Sequence, residues 1–225
     1  MNLWIKICGN TSLEDAALAA DAGADALGFV FAPSARRVTP GQVARIVPDL
    51  PATVEKIGVF VDATFAEIEA TVSACKLTGV QLQFAAAPAI RSQLRASFGP
   101  SLRILQTLHF SPAIAAQAAS LASDINIDAL LVDSRTATAP GGTGIVFDWN
   151  AAATSLFGDL KYPHKVVVAG GLTPDNVSEA IAVLKPWGVD VVSGVEAAAG
   201  RKEPAKVRTF IATARAAFAK DTREA

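Results

Sequence analysis

Residues 3–31 read "LWIKICGNTSLEDAALAADAGADALGFVF". The stretch opens on an apolar run that stops at Cys8-Gly9. Ser12, followed three residues later by Asp15, then carries a helix N-cap signature. The alanine-rich amphipathic segment that follows ends at Gly23, a residue suited to closing a helix. A second apolar run, "ALGFVF" (26–31), begins directly behind it. This is a strand–helix–strand unit. Its strands are near-continuous in Val, Ile, Leu and Phe rather than alternating, as expected of parallel strands buried on both faces.

The unit recurs along the chain. Further runs are "KIGVFV" (56–61), "GVQLQF" (79–84), "RILQTLHF" (103–110), "ALLVDS" (129–134), "KVVVAGG" (165–171) and "VDVVSGVE" (189–196), with helical text between them. Gly79 reads as the stop of the helix "FAEIEATVSACKLTG". Eight such units of roughly 25 to 30 residues predict an α/β fold, a single (β/α)8 barrel. It is expected to span residues 1–225, with a polar C-terminal tail over about 218–225. An open doubly wound sheet is the alternative, but no G-x-G-x-x-G follows the first strand.

Composition narrows the function. The chain has 225 residues, 51% hydrophobic and 18% charged, with a net charge of -1. No basic stripe points to nucleic acid, and no apolar run reaches the roughly 18 residues a membrane helix needs. Two cysteines, Cys8 and Cys75, argue against a disulfide framework and for a reducing cytoplasm. Cys75 falls on the apolar face of a helix and reads as packing. His109 and His164 have neither metal-ligand spacing nor a defensible Ser-His-Asp order, so no metal site is expected.

Active sites of this barrel lie at the C-terminal ends of the strands. The residues gathered there are Cys8, Phe31 with Arg36 beyond it, Gln83, Asp133, Gly170-Gly171 and Ser193-Gly194. "AGGLTPDN" and "SGVE" close strands seven and eight, where the fold repeatedly binds phosphate with backbone N–H groups. Thr173, Pro174 and Asp175 are expected at the N-terminus of the next helix. "PGGTG" (140–144) adds a third glycine-rich turn. Asp133 ends an apolar strand, where a carboxylate must be partnered or face the mouth. It reads as an acid, a helix cap or a partner for Arg135. Cys8 stays open between an inert buried thiol and a proton acceptor. Arg36 could hold a carboxylate in bidentate fashion.

The ordered set "KICG", "GADALGFVFAPSARRV", "GVFV", "VQLQ", "LLVDS", "GGTGIVFDW", "AGGLTPDNV" and "VVSGVEAAAGRKEPAKVRTFI" resembles the phosphoribosylanthranilate isomerase family of tryptophan biosynthesis, nearly end to end. The resemblance implies an Amadori rearrangement of N-(5-phosphoribosyl)anthranilate to 1-(o-carboxyphenylamino)-1-deoxyribulose 5-phosphate. It implies Asp133 as general acid and Cys8 as general base, and sets Arg36 at the anthranilate carboxylate. Gly170, Gly171, Ser193 and Gly194 would hold the phosphate, with Gly142 and Thr143 in a covering loop. Gln81, within "VQLQ", joins the substrate-binding residues. The only partner implied is a phosphorylated small molecule. No cofactor is implied, and the expected form is a cytoplasmic monomer.

Strand four departs from the family. Where members usually have "VQLHG" and acidic residues, this chain reads "VQLQFAAAP", with Gln83 for histidine and Phe84 for glycine. Phe84 is expected to narrow one wall of the mouth. Val192, where serine is frequent, is expected to affect packing alone. The nearest rival resemblance is to the analogous isomerase of histidine biosynthesis, which would have an aspartate in place of Cys8. A catalytically silent barrel that binds a phosphorylated ligand or a protein partner is the alternative of a different class.

Overall fold

The computed structural model describes residues 2–133, 149, 153 and 164–224. Its strands are β1 (Trp4–Cys8), β2 (Ala26–Val30), β3 (Glu55–Phe60), β4 (Gly79–Leu82), β5 (Arg103–His109), β6 (Ala129–Asp133), β7 (Lys165–Ala169) and β8 (Gly188–Val191). Each pairs in parallel with the next, and β8 pairs with β1, so the eight close into a barrel. The helices described are α1 (Leu13–Asp21), α2 (Pro40–Ile46), α3 (Phe65–Cys75), α4 (Pro88–Phe98), α5 (Ile114–Leu121), α6 (Val177–Leu184) and α7 (Pro204–Glu224). The helix expected after β6 falls outside the described residues. So do Gly142, Thr143 and the glycine-rich turn around them.

Local signals act largely as read. Ser12 caps α1 by accepting from the Asp15 N–H at 3.1 Å. Two expectations change. Helix α3 ends four residues before Gly79, with Lys76 in the left-handed region at φ 50°. Gly79 instead opens β4. A Cβ there would stand 2.5 Å from Ile57 Cδ1 and 2.9 Å from the Arg103 carbonyl, so the glycine serves strand crowding. The polar C-terminal residues also form no separate tail, because α7 continues to Glu224. "AKDTRE" is rich in good helix formers, and Asp221 pairs with Lys185 at 3.3 Å.

Alternation along the strands sorts side chains into two cores. Ile5, Ile7, Leu27, Phe29, Val80, Leu82, Ile104, Val132 and Val168 face outward and pack beneath the helices. Trp4, Ala26, Ile57, Leu105, Ala129, Leu131, Val167 and Ala169 fill the lumen from below. Under this floor Trp4 stacks on Trp187, ring centroids 5.2 Å apart, with the Arg103 guanidinium over both. Arg103 is itself paired with Glu55 at 2.6 Å. Polar groups begin one layer higher, towards the C-terminal mouth.

The closed floor predicts a division of effects. Trp4→Ala should lower unfolding free energy by about 3–5 kcal/mol in urea titrations. Because Trp4 lies at the end opposite the mouth, KM should stay within about twofold of the parent under folded conditions.

Candidate active site

The same alternation that buries Trp4 turns Lys6 and Cys8 into the lumen. Lys6 has no exposed surface. Its Nζ donates to Asp190 Oδ1 and to Gln81 Oε1, both at 2.9 Å. Gln81 Nε2 donates to Gln83 Oε1 at 2.6 Å, and Gln83 Nε2 donates to Asp133 Oδ2 at 3.3 Å. Thr107 Oγ1 also donates to Gln83 Oε1, at 3.0 Å. A bonded chain therefore crosses the lumen from β1 through β4 to β6. Gln81 lies inside the barrel, 3% exposed, with its amide oxygen and nitrogen committed to Lys6 and Gln83. Strand alternation makes it the deeper of the two glutamines.

Cys8 ends β1 and is buried. Burial pushes its thiol up; Lys6 is the largest opposing influence, and Lys202 also works against the rise. Burial alone would lower Lys6, but Asp190 and Cys8 outweigh it and hold the ammonium above its ordinary range. Gly28 lies in register with Cys8 on β2. A Cβ at that position would come within 2.4 Å of Cys8 Sγ. The thiol occupies space that only a glycine leaves open.

A second buried cluster holds the rim. Arg36 Nε donates to Glu196 Oε1 at 2.9 Å and its Nη2 to Oε2 at 2.7 Å. The fork expected to grip a ligand carboxylate is thus already turned on a protein carboxylate, and Nη1 takes no part in the pair. Glu196 belongs to a short hairpin, β9 (Glu196–Ala198) and β10 (Arg201–Lys202). Lys202 Nζ donates to the Cys8 carbonyl at 2.6 Å and to Glu196 Oε1 at 3.3 Å. Burial opposes charge on Glu196, yet Arg36 and Lys202 overcome it and keep the carboxyl below its usual range. Burial also lowers Lys202, against the pull of Glu196.

The loops after β7 and β8 meet as expected. Gly170 and Gly171 take φ of 83° and 68°, a left-handed pair that side-chain-bearing residues rarely adopt. A Cβ on Gly194 would stand 1.9 Å from the Leu172 carbonyl, so the two loops touch backbone to backbone. Asn176 fastens the β7 loop: its Oδ1 accepts from Thr173 N at 2.8 Å and its Nδ2 donates to Gly171 O at 3.0 Å. Helix α6 begins only at Val177, so Thr173, Pro174 and Asp175 lie in the preceding turn. Ser193 and Gly194 form a 3-10 turn at the end of β8.

Strand four differs from its reading. Gln83 faces the lumen, whereas Phe84 packs against the outer core and lines a recess of about 550 Å³ with Leu108, Phe110 and Leu121. It does not narrow the mouth. Its turn is held by Gln106 Nε2 on the Phe84 carbonyl at 2.8 Å and by Arg91 Nη1 on the Ala86 carbonyl at 2.7 Å. Cys75 is buried, with its thiol against the Pro40 carbonyl. His109 lies in register with Asp133 and leaves Nδ1 buried without a partner. No cluster fit to hold a metal ion occurs among the described residues.

Sequence reasoning left out Lys6, Asp190, Glu196, Lys202 and Gly28. For Lys6 and Asp190 the signal was present: each interrupts a strand otherwise apolar on both faces, where a charge must be partnered. Gly28 carried no comparable signal.

A closed barrel with a thiol, a carboxylate and two touching glycine loops at its C-terminal mouth defines a (β/α)8-barrel enzyme. Residues 5–213 match the family described as N-(5'phosphoribosyl)anthranilate (PRA) isomerase. An N-(5'-phosphoribosyl)anthranilate isomerase from Pelobacter propionicus is 42% identical over 220 residues, covering 97% of this chain and 99% of that one. A phosphoribosyl anthranilate isomerase solved in complex with reduced 1-(o-carboxyphenylamino)-1-deoxyribulose 5-phosphate has a TM-score of 0.79 at 31% identity, covering 95% and 99% of the two chains. Monomers of the dimeric isomerase of Thermotoga maritima give 0.79 at 32% identity over the same shares. The chain belongs to the N-(5'-phosphoribosyl)anthranilate isomerase family.

The space around the thiol yields a sharp expectation. Gly28→Ala should displace Cys8 and lower kcat by about 10²-fold, with the far-UV circular dichroism unchanged.

Proposed function

We propose that the chain isomerises N-(5'-phosphoribosyl)anthranilate to 1-(o-carboxyphenylamino)-1-deoxyribulose 5-phosphate, a step of tryptophan biosynthesis. The observation that carries this reading is the pairing of buried Cys8 and buried Asp133 at one mouth of the closed ring, within a chain of this family. The complexed relative with its reduced product analogue supports the choice of substrate.

The chemistry follows from moving two protons. Asp133 delivers one to the ribose ring oxygen as the C1–O bond breaks, and the anilino nitrogen supplies electrons to form a Schiff base. Cys8, as thiolate, takes the C2 proton, and the electrons of that C–H bond flow into the iminium to give an enolamine. Tautomerisation gives the ketone. Nothing is oxidised or reduced overall, so the protein need supply only acid, base and position.

Binding roles follow the same geometry. The backbone of Gly170, Gly171, Ser193 and Gly194 takes the phosphate, where α6 also points its N-terminal end. Arg36 Nη1, outside the Glu196 pair, is the group offered to the anthranilate carboxylate. Gly142 and Thr143 retain their covering role as part of this proposal. The reading includes a cytoplasmic monomer. No described helix is long and apolar enough to cross a membrane, and the large apolar side chains exposed among the described residues, Leu13, Val61 and Ile125, are scattered. Sedimentation equilibrium would overturn the monomer by giving twice the chain mass.

The direct test generates the substrate in situ and follows the loss of its fluorescence. Acceleration over buffer is expected, and none would sink the reading. Cys8→Ala and Asp133→Asn should each lower turnover by about 10²-fold or more. Because burial pushes Cys8 up, the thiolate population grows with pH. The ascending limb of kcat/KM should therefore lie above the ordinary thiol range; a limb at or below that range would exclude Cys8 as the titrating base.

A further inference from the structure

We propose that Glu196 is a positioning residue that sets substrate specificity: it holds one edge of the Arg36 guanidinium so that the remaining fork selects an aromatic amine with an ortho carboxylate. The inference rests on the reading of Arg36 as the partner of the anthranilate carboxylate and deepens it.

A guanidinium is planar and carries five N–H groups in fixed directions, so it can serve two carboxylates at once. Glu196 takes one edge. Arg36 Nε donates to its Oε1 at 2.9 Å and Nη2 to its Oε2 at 2.7 Å. Three N–H groups remain, two on Nη1 and one on Nη2. None of them has an acceptor among the described residues. One hydrogen from Nη1 and one from Nη2 lie side by side and form a second fork, of the spacing that a carboxylate accepts in bidentate fashion. A lysine could not divide itself in this way, because its ammonium is a single point that Glu196 would occupy.

The stem of Arg36 is fixed as well as its head. Gly9, directly after Cys8, takes φ 79°, and a Cβ there would stand 2.9 Å from Arg36 Cδ. The arginine therefore lies across the turn that leaves β1, beside the thiol's own backbone. On the other side, the Gly200 N–H donates to Glu196 Oε1 at 3.2 Å. A Cβ on Gly200 would stand 3.2 Å from the Ala35 carbonyl, so the hairpin closes on the loop that carries Arg36. The Glu196 side chain is 3% exposed and that of Arg36 16%, so the carboxylate is sealed in while the arginine keeps a face to solvent. Lys202 Nζ reaches the same Glu196 Oε1 at 3.3 Å. Two cations share one carboxylate, and a ligand anion at the free fork still meets positive charge.

The test titrates the full chain calorimetrically with two ligands: reduced 1-(o-carboxyphenylamino)-1-deoxyribulose 5-phosphate, and its anilino counterpart without the carboxylate. The parent is expected to bind the first about tenfold or more tightly than the second, the worth of a charged bidentate contact. Glu196→Asp keeps the charge but withdraws the carboxylate by one methylene. Affinity for the carboxylated ligand should then fall about tenfold, while that for the anilino ligand stays within about twofold. Arg36→Lys should shrink the same ratio. A merely structural role would weaken both ligands alike, so equal losses in Glu196→Asp, or no loss at all, overturn the proposal. Should Glu196→Asp fail to fold, the para-carboxyl isomer is titrated into the parent. It has the same charge, and a fixed fork should bind it about as weakly as the anilino ligand; para binding as tight as ortho overturns the proposal. A parent that does not distinguish the carboxylated from the anilino ligand would overturn the placement of Arg36 itself, and the proposal with it. Binding is read here without turnover, so a failure of the isomerase reaction would show separately, in the fluorescence assay.

Discussion

Lys6 carries its ammonium into a lumen where it has no exposed surface, and a charge so placed persists only if it is paired and hydrogen-bonded. Three strands are drawn in to meet that demand. Asp190 from β8 supplies the counter-charge, Gln81 from β4 supplies an oxygen, and Cys8 sits two residues further along β1 on the same inward face. The barrel thus changes character abruptly, from an apolar floor around Trp4 to a polar layer one residue pair higher. That layer is also where the proposed chemistry takes place. Breaking the pair by removing either partner would leave a buried charge uncompensated, a far greater cost than the pair itself contributes to stability.

The rim is built by a second constraint of the same kind. Glu196 accepts from Arg36, Lys202 and the Gly200 N–H, and so binds the loop after β2 to the hairpin after β8. Lys202 extends the tie to the Cys8 carbonyl. Cys8 is consequently gripped at its backbone by one cation and overlooked at its thiol by another. Close backbone packing completes the mouth: Gly28 yields space to the thiol, and Gly194 lets the β8 turn rest on the β7 loop. Side chains with charge hold Cys8, whereas residues without side chains shape the space around it.

The fold was legible because it rests on local, repeated signals. Continuous apolar runs marked eight parallel strands, and Ser12 marked where α1 begins. The placement of Cys8, Asp133, Gly170 and Gly194 at the mouth was legible for a related reason, since each ends a strand or lies in the loop just after one. Orientation within a strand was harder to read. Phe84 was expected in the mouth, but a one-residue step along β4 decides between lumen and outer core. The Arg36–Glu196 pair joins residues 160 apart in sequence, and no spacing rule announces such a partner. Gly79 misled because a glycine before a strand looks the same whether it ends a helix or clears room for Ile57.

Burial of Cys8 bears on the strength of the base that the proposed mechanism asks it to be. A proton acceptor acts in proportion to its deprotonated population and to its strength, and the two move in opposite directions as its pKa changes. An exposed thiol would be abundant as thiolate at alkaline pH but weak against a carbon acid. Burial strengthens the base and thins its population, while Lys6 and Lys202 limit how far that goes. In the proposed mechanism the C2 proton becomes acidic only after the ring has opened to an iminium, and ring opening takes its proton from Asp133. Acid and base must therefore act in sequence across the same lumen. One buried lysine lies between the two residues, moderating the thiol and joined through two glutamines to Asp133.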